Sequence, residues 1–324
     1  MNEVNTLIVG DCLTVLPTLG AESVDAVITD PPYFLDKLDS EWDAERVKDL
    51  TYGQVIKHLP AGMKFDPEQG RRLHKWYEQV SKLIFRVLKP GGFFFSFSSP
   101  RLYHRLTCAV EEAGFLIRDT FLWVYLQNQP KAMSLDHFIN RMRISDEEKV
   151  SLKQRLQGWR TPQIKSCYEP IIVAQKPYEG TLLNNFVKYG VGLFNTNLRI
   201  GLNYYPSNIL IVDGVEEAMD KYFLIPKPDI EEKGDYNSHQ TVKPLSLCEY
   251  LILLSTQEGA LVLDPFVGSG TTAVAAKRLG RSYIGIDINP EYIQIAERRL
   301  TEQASANGSA RFFAMPQPAL NLED

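Results

Sequence analysis

A short acidic and aromatic motif follows an apolar segment near the start of the sequence. It consists of Asp30, Pro31, Pro32 and Tyr33, directly after the predicted strand Val24–Thr29. The two prolines fix φ and hold a carboxylate, a backbone carbonyl and an aromatic ring at set positions. Two such acceptors would bind the N–H groups of a ring-conjugated amine and direct its lone pair at an electrophile, while Tyr33 would stack on the ring. The alternative is a plain Asp-Pro turn.

A glycine-rich turn between the predicted strand Ala260–Leu263 and the predicted helix Thr271–Leu279 is the second candidate site. Glycines let a ligand approach the backbone closely, and free N–H groups at a helix start favour a carboxylate. The turn is not a Walker loop, and it lacks the third glycine of the dinucleotide fingerprint. A purely structural turn is the alternative. The candidate residues are Asp264, Phe266, Gly268, Ser269, Gly270 and Thr271.

Two further acidic residues follow predicted strands. Asp287 comes after Ser282–Ile286, at about the distance from a glycine turn at which a ribose-binding acid is found. Asn289 is better placed to cap the next helix, which leaves Asp287 for a ligand. Asp11 follows the strand Thr6–Val9, and both a capping role and a ligand role remain open for it.

The elements that must position these residues alternate between strand and helix, which predicts an α/β fold with a parallel sheet between helices. Three more strands are predicted at Phe93–Phe97, Phe115–Trp123 and Ile171–Ala174. Helices besides the one after the glycine turn are predicted at Cys12–Leu19, Arg71–Leu88, Arg101–Ala113, Pro244–Thr256 and Pro290–Leu300. The first of the two proline-led helices would thus have Pro244 at its first position.

Together, these motifs resemble the β-class DNA amino-methyltransferases. The similar features are the Asp-Pro-Pro-Tyr motif, the His-x-Thr-x-Lys-Pro segment at 239–244, the glycine turn and the Ile-Gly-Ile-Asp strand end at 284–287. In that class the catalytic motif precedes the glycine turn, as it does here. The resemblance covers residues 1–123 and 166–300. It implies a Rossmann-like methyltransferase sheet that is circularly permuted and carries an inserted target-recognition module.

The resemblance also implies a cofactor, S-adenosylmethionine, and roles for individual residues. The loop that contains Ser269 would surround the methionine part of the cofactor through Asp264, Phe266, Gly268, Gly270 and Thr271. Asp287 would hold the ribose hydroxyls, Asp11 would meet the cofactor adenine, and Lys243 and Pro244 would lie nearby. Tyr168-Glu169-Pro170 resembles the His/Tyr-Glu-Pro element of the family, which we interpret as a structural landmark.

The same resemblance divides the chain into functional parts. Residues 1–125 would form the catalytic half with an insert at 34–70, and residues 166–176 and 235–303 the cofactor-binding half. Residues 126–165 and 177–234 are predicted target-recognition segments, and 304–324 a flexible tail. Family members often pair as homodimers, an arrangement that the sequence leaves open.

Charge is distributed unevenly along a chain whose net charge is −5. Segment 126–165 holds eight basic and four acidic residues, a net charge of +4. Flipping a base out of duplex DNA costs a few kcal/mol, and stacking on one aromatic ring returns roughly 1–3 kcal/mol, so contacts to double-stranded DNA must supply the rest. The candidate DNA contacts are Arg141, Arg143, Lys149, Lys153 and Arg160. The alternative is a solvated helix that begins at a Ser145–Glu148 capping box.

The family resemblance also bears on the target base. Asp-Pro-Pro-Tyr mostly accompanies methylation of the adenine 6-amino group, whereas Ser-Pro-Pro-Tyr mostly accompanies methylation of the cytosine 4-amino group. Methylation of the cytosine ring carbon needs a Pro-Cys nucleophile, and none of the 19 prolines precedes a cysteine. RNA or protein amide methyltransferases usually place the glycine loop first. An inactive DNA-binding relative is disfavoured because Asp30, Tyr33 and Gly268 are present.

Cysteine usage and hydropathy exclude other classes of protein. The four cysteines, at positions 12, 108, 167 and 248, form no Cys-x-x-Cys pair, which argues against a zinc site and against a disulfide framework. No segment has the length and apolar character of a membrane span or of a signal peptide. We expect a cytoplasmic enzyme without metal or membrane partner.

Overall fold

A nine-stranded sheet organises the computed structural model, which describes residues 4–33, 67–124, 132–162, 166–198, 207–211, 223–224, 228, 230–233, 236–237 and 242–303. The strands are β1 Thr6–Val9, β2 Val24–Thr29, β3 Leu88–Phe97, β4 Leu116–Val124, β5 Tyr168–Gln175, β6 Ile209–Ile211, β7 Phe223–Leu224, β8 Leu261–Asp264 and β9 Ser282–Asp287. The helices are α1 Cys12–Val15, α2 Pro67–Val87, α3 Tyr103–Glu112, α4 Asp136–Asn140, α5 Asp146–Arg155, α6 Leu182–Tyr189, α7 Ile230–Lys233, α8 Leu245–Ser255, α9 Thr271–Arg278 and α10 Pro290–Gln303. A 3₁₀ turn, Leu16–Thr18, continues α1.

The strand order is β1-β9-β8-β2-β3-β5-β4-β6-β7. All neighbouring strands are parallel except those that flank β5, which runs antiparallel to both β3 and β4. The predicted α/β architecture is therefore confirmed, with one reversed strand that the alternation of elements did not reveal. Reversal of β5 brings its first residues to the edge of the sheet where the parallel strands end.

Side chains on β3 show how the sheet divides two cores. Phe93, Phe95 and Phe97 pack with α8 and α9 on one face, whereas Phe94 packs with α2 and α3 on the other. Successive side chains of a strand point to opposite faces, so a continuous apolar run is what a strand covered on both sides requires. Each of these rings is at most 4% exposed, and burial of a phenylalanine contributes roughly 1.5–3 kcal/mol.

Several predicted boundaries shift in the structure. Helix α2 begins at Pro67, so residues 67–70 of the predicted insert belong to the helix, and residues 34–66 lie outside the described residues. The chain passes into β3 already at Leu88, where it pairs with Val24. Pro244 is the N-cap residue of α8 with extended φ and ψ of −60° and 135°, and not its first helical residue as predicted.

The second predicted target-recognition segment, 177–234, contributes to the sheet itself. Its strands β6 and β7 extend the sheet beyond β4 in parallel orientation. Helix α6 begins at a Thr181 N-cap and ends at Gly190, whose φ is +74°. Part of this segment is therefore structural. No helix among the described residues is long and apolar enough to cross a membrane.

Candidate active site

Four carboxylates lie along one edge of the sheet because four neighbouring parallel strands end there. In spatial order, Asp11 follows β1, Asp287 ends β9, Asp264 ends β8 and Asp30 follows β2. The carboxyl ends of parallel strands are where open α/β sheets bind their ligands. Residues that lie hundreds of positions apart in the sequence thus form a single row.

Asp30 is contacted by a hydroxyl on one oxygen and by an ammonium on the other. Its Oδ1 accepts a hydrogen bond from the Tyr33 hydroxyl, and its Oδ2 forms an ion pair with the Lys243 ammonium. Burial, followed by the negative charges of Asp30 and Glu169, raises the pKa of Tyr33 well above its ordinary value, so this hydroxyl stays a donor. A carboxylate has about four lone-pair positions, which leaves Asp30 with acceptor capacity.

Lys243 also faces a second carboxylate. Its Nζ lies 3.5 Å from Glu169 Oε2 and 5.1 Å from the centre of the Phe97 ring. Burial favours the neutral amine, but the charges of Asp30 and Glu169 outweigh it and raise the pKa of Lys243 above its ordinary value. Glu169 reaches this position because β5 is reversed and begins beside the end of β3, where Ser98 N donates to Pro170 O at 2.9 Å. The ammonium therefore stays charged between two carboxylates.

The glycine turn is fixed by the two acids that flank it. Asp264 Oδ1 accepts from Thr29 Oγ1 at 2.6 Å and from Phe266 N at 3.0 Å. Asp287 Oδ2 accepts from Gly268 N at 2.9 Å, and its Oδ1 accepts from Asn289 N at 2.8 Å. Asn289 caps α10 as predicted, through Glu291 N at 2.9 Å. Asp287 is therefore not free of structural contacts, contrary to the expectation from the sequence.

Burial governs the ionisation of both acids. It raises the pKa of Asp264 to about 6, against the hydrogen bonds from Thr29 and Thr272 that act to lower it. Burial also raises the pKa of Asp287, against the hydrogen bonds from Asn289 and Gly268. A ligand that donates hydrogen bonds or carries positive charge would therefore be favoured at this edge of the sheet.

The turn itself needs glycine. Gly268 and Gly270 have φ of +50° and +88°, and Gly270 occupies the N-cap position of α9. A Cβ on Gly270 would lie 2.6 Å from the Cβ of Ala296 in α10. From the same helix, the buried Arg299 donates to Ser269 O at 2.8 Å and to Thr271 Oγ1 at 3.0 Å. Close packing against α10 thus sets the path of the turn.

Asp11 and Phe266 flank this turn. Asp11 caps α1 through Leu13 N at 2.8 Å, so the capping role is observed, and the residue remains exposed. The ring of Phe266 packs against Trp76 of α2 with centroids 5.6 Å apart. Trp76 is a residue near the candidate site that the sequence did not single out.

These features fit S-adenosylmethionine. The positive φ values of Gly268 and Gly270 and the close approach of Ala296 show a turn whose path requires glycine. The residues that would hold the cofactor are Asp11, Asp264, Phe266, Gly268, Ser269, Gly270, Thr271 and Asp287. The structure brings this set together on one edge. Pro244 and Lys243 lie at the start of α8, where Lys243 contacts Asp30.

The candidate DNA contacts lie on a separate helical hairpin, residues 133–161. Its two ends are joined by a β-bridge between Ser134 and Arg160 and by a hydrogen bond from Thr161 N to Met133 O at 3.1 Å. Arg141, Arg143 and Arg160 are exposed, whereas Lys149 and Lys153 are partly buried.

The predicted capping box of this hairpin is present. Ser145 Oγ accepts from Glu148 N, and Glu148 Oε2 accepts from Ser145 N. Lys149 forms an ion pair with Asp146 at 3.2 Å. Trp159 is 70% exposed beside Arg160, which gives the hairpin an aromatic as well as a basic surface.

Two further sets of residues bear on metal and redox chemistry. All four cysteines are free. Among the described residues, His74, Glu78 and Glu112 have potential ligand atoms within 4.8 Å of one another on the surface of α2 and α3. These side chains already form contacts within the protein. His74 Nε2 lies 2.8 Å from Glu112 Oε2, and Glu78 accepts a hydrogen bond from Lys82. The absence of a metal stays a prediction.

Two DNA methyltransferases are similar in sequence to this chain over most of its length. Type II methyltransferase M.HindIII of Haemophilus influenzae is 30% identical over 308 residues, which cover 90% of this chain and 93% of that protein. DNA adenine methyltransferase YhdJ of Escherichia coli is 27% identical over 310 residues, covering 92% of this chain and 83% of that protein.

A solved structure shows the same fold. The DNA modification methylase TTHA0409 of Thermus thermophilus, crystallised in complex with S-adenosyl-L-methionine, superposes with a TM-score of 0.53 at 20% identity, over 94% of this chain and 96% of that chain. A DNA methylase family profile, for N6 and N4 amino-methyltransferases, matches residues 24–298. The chain therefore belongs to this DNA methylase family and is an enzyme that methylates DNA.

Proposed function

We propose that this enzyme transfers the methyl group of S-adenosylmethionine to the exocyclic 6-amino group of a flipped adenine at a specific site in duplex DNA. The observation that carries the proposal is the ionic environment of Asp30, a carboxylate beside the cofactor-binding turn with an ammonium on one oxygen and a hydroxyl on the other. The similarity to an enzyme named a DNA adenine methyltransferase supports adenine as the target.

The residues of this chain activate the amine by positioning and electrostatics. Asp30 and the Pro31 carbonyl accept the two N–H groups, so the nitrogen lone pair is withdrawn from the ring and aimed at the incoming methyl group. S-adenosylmethionine supplies a sulfonium methyl, whose C–S bonding pair returns to sulfur as the C–N bond forms. The nitrogen then loses one proton, which Asp30 is placed to take. Tyr33 stacks on the base.

DNA binding is assigned to the hairpin 133–161. Exposed Arg141, Arg143 and Arg160 are suited to base edges in the major groove, whereas Lys149 and Lys153 are suited to phosphates. The exposed Trp159 adds a ring that can stack on a displaced base. Of the predicted segment 126–165, residues 126–131 and 163–165 lie outside the described residues.

The test is an Asp30→Ala variant assayed on duplex DNA with modified-base sequencing. Turnover should fall by at least about 100-fold while calorimetric affinity for S-adenosylmethionine stays unchanged, because the lost contact is made in the transition state. Glu111→Ala, which removes an exposed carboxylate on α3, is the matched control and should keep wild-type turnover.

The same assay identifies the target base. Methylation of the cytosine 4-amino group is the second candidate, since the matching profile covers both chemistries. Recovery of 4-methylcytosine in place of 6-methyladenine would overturn the assignment of adenine. Near-normal turnover of Asp30→Ala would overturn the mechanism.

A further inference from the structure

Three charged side chains meet where β2, β5 and the start of α8 converge. Lys243 lies between Asp30 and Glu169, and the exposed fractions of the three side chains are 9%, 20% and 23%. Two carboxylates and one ammonium leave this buried group with a net charge of −1. The group connects the catalytic motif to a residue of the Tyr-Glu-Pro element.

Stability alone does not account for a buried ammonium at this position. Removing charges from water costs several kcal/mol per ion, and apolar replacements of buried ion pairs are often neutral or stabilising. Phe97 already provides an apolar neighbour 5.1 Å from Nζ. A charged group that is buried at such a cost, in contact with Asp30, points to a task in the reaction.

We propose that Lys243, held by Glu169, is a positioning residue for methyl transfer that fixes the orientation of the Asp30 carboxylate as an acceptor. The inference rests on the function proposed above and deepens it. The ammonium engages Oδ2, which turns Oδ1 towards the side of the carboxylate where Tyr33 lies. Glu169 holds the ammonium from its other side, 3.5 Å from Nζ.

The ammonium also separates two like charges. Without it, Asp30 and Glu169 would be two neighbouring carboxylates in a partly buried site, and their repulsion would turn Asp30 away from its observed orientation. A turned Asp30 would no longer present its acceptor to the amine, so the amine would not be activated. Lys243 therefore acts on the reaction through Asp30, without touching the base itself.

The first test compares Lys243→Met with the double variant Lys243→Met/Glu169→Gln in the full-length protein. Lys243→Met should lower kcat about 100-fold, with the KM for DNA and the affinity for S-adenosylmethionine within about 3-fold of wild type. Adding Glu169→Gln should restore kcat by about tenfold, because it removes the like charge that repels the Asp30 carboxylate once the ammonium is gone. A merely structural lysine would show no such rescue.

Lys89→Met is the matched control. Lys89 pairs with Asp25 at 2.6 Å near the opposite end of β2, about 16 Å away at the rise per residue of a strand. This variant breaks a partly buried Lys–Asp pair on the same strand and should leave kcat unchanged. If Lys243→Met does not fold, Glu169→Gln alone decides, since it should lower kcat by about 3- to 10-fold at constant KM.

The outcomes separate this inference from the function on which it rests. Normal kcat in Lys243→Met, a loss without rescue by Glu169→Gln, or a matching loss of cofactor affinity would each overturn the positioning role. If Lys243→Met does not fold, a normal kcat in Glu169→Gln would also overturn the positioning role. If instead the wild type leaves duplex DNA unmethylated, or Asp30→Ala keeps its turnover, the proposed function fails.

Discussion

Replacing Gly270 with alanine should incur two physical costs in the glycine turn between β8 and α9. Gly270 has φ of +88°, and left-handed backbone costs a residue with a Cβ roughly 1–2 kcal/mol. The new Cβ would also lie 2.6 Å from Ala296 Cβ and 3.0 Å from Ala296 Cα, an overlap of the kind that costs about 1–3 kcal/mol. We expect Gly270→Ala to lower the free energy of unfolding by about 2–5 kcal/mol.

Gly259→Ala is the control for this prediction. Gly259 has φ of +78°. In the described part of the chain, a Cβ at this position would have no heavy atom within 4 Å apart from its chain neighbours, so Gly259→Ala isolates the backbone cost of about 1–2 kcal/mol. Urea unfolding of both variants measures the difference, and calorimetry measures cofactor binding. If the turn moves to relieve the overlap, affinity for S-adenosylmethionine should fall roughly 5- to 150-fold in Gly270→Ala only.

Two outcomes would contradict this reasoning. Equal destabilisation of Gly270→Ala and Gly259→Ala would show that α10 does not approach the turn as closely as described. Unchanged cofactor affinity in a clearly destabilised Gly270→Ala would show that the turn is not where the cofactor binds. Shortening Ala296 to glycine in the Gly270→Ala background should recover part of the steric loss.

Two further predictions concern pH and DNA binding. The pKa of Asp264 in the folded protein, about 6, lies above the ordinary value of 3.8. Asp264 should therefore stabilise the cofactor-free protein below about pH 4, and this contribution should be lost as the pH rises towards 6. Unfolding curves measured over a pH series should lose this component in Asp264→Asn, and an unchanged slope of stability against pH would contradict the prediction. Lys149→Ala and Lys153→Ala should weaken binding to target and random duplexes alike and flatten the dependence of affinity on salt. At least one of Arg141→Ala, Arg143→Ala and Arg160→Ala should lower discrimination against wrong base pairs in the methylated site by about 1–3 kcal/mol. Salt-titrated binding and modified-base sequencing measure the two effects, and no change in either would show that the hairpin is only a solvated surface.

The regular elements of the fold could be predicted because their signals are local. The strand Val24–Thr29 follows from its apolar side-chain pattern, and the observed strand β2 has the predicted bounds. Direction within the sheet is not a local property. The reversal of β5 depends on its neighbours β3 and β4, so Ile171–Ala174 was recognised as a strand but not as an antiparallel one.

This difference explains what the sequence missed in the candidate site. Asp30, Asp264 and Asp287 follow strands that all point the same way, so their meeting on one edge could be inferred. Glu169 begins the reversed strand, and only that reversal carries it to Lys243. The ionic contacts of Lys243 likewise depend on the packing of α8 on the sheet, so the sequence places this residue near the cofactor and not on Asp30.

The closed base of the hairpin 133–161 has a consequence for how such an enzyme can change. Ser134 pairs with Arg160 at the base of the hairpin, and Val124 of β4 pairs with Tyr168 of β5, so the positions on either side of the hairpin are adjacent in space. Loop-closure entropy changes slowly with length, and segments with adjacent ends tolerate replacement well. A hairpin of different length or surface could therefore replace residues 134–160 without altering the register of any strand in the sheet.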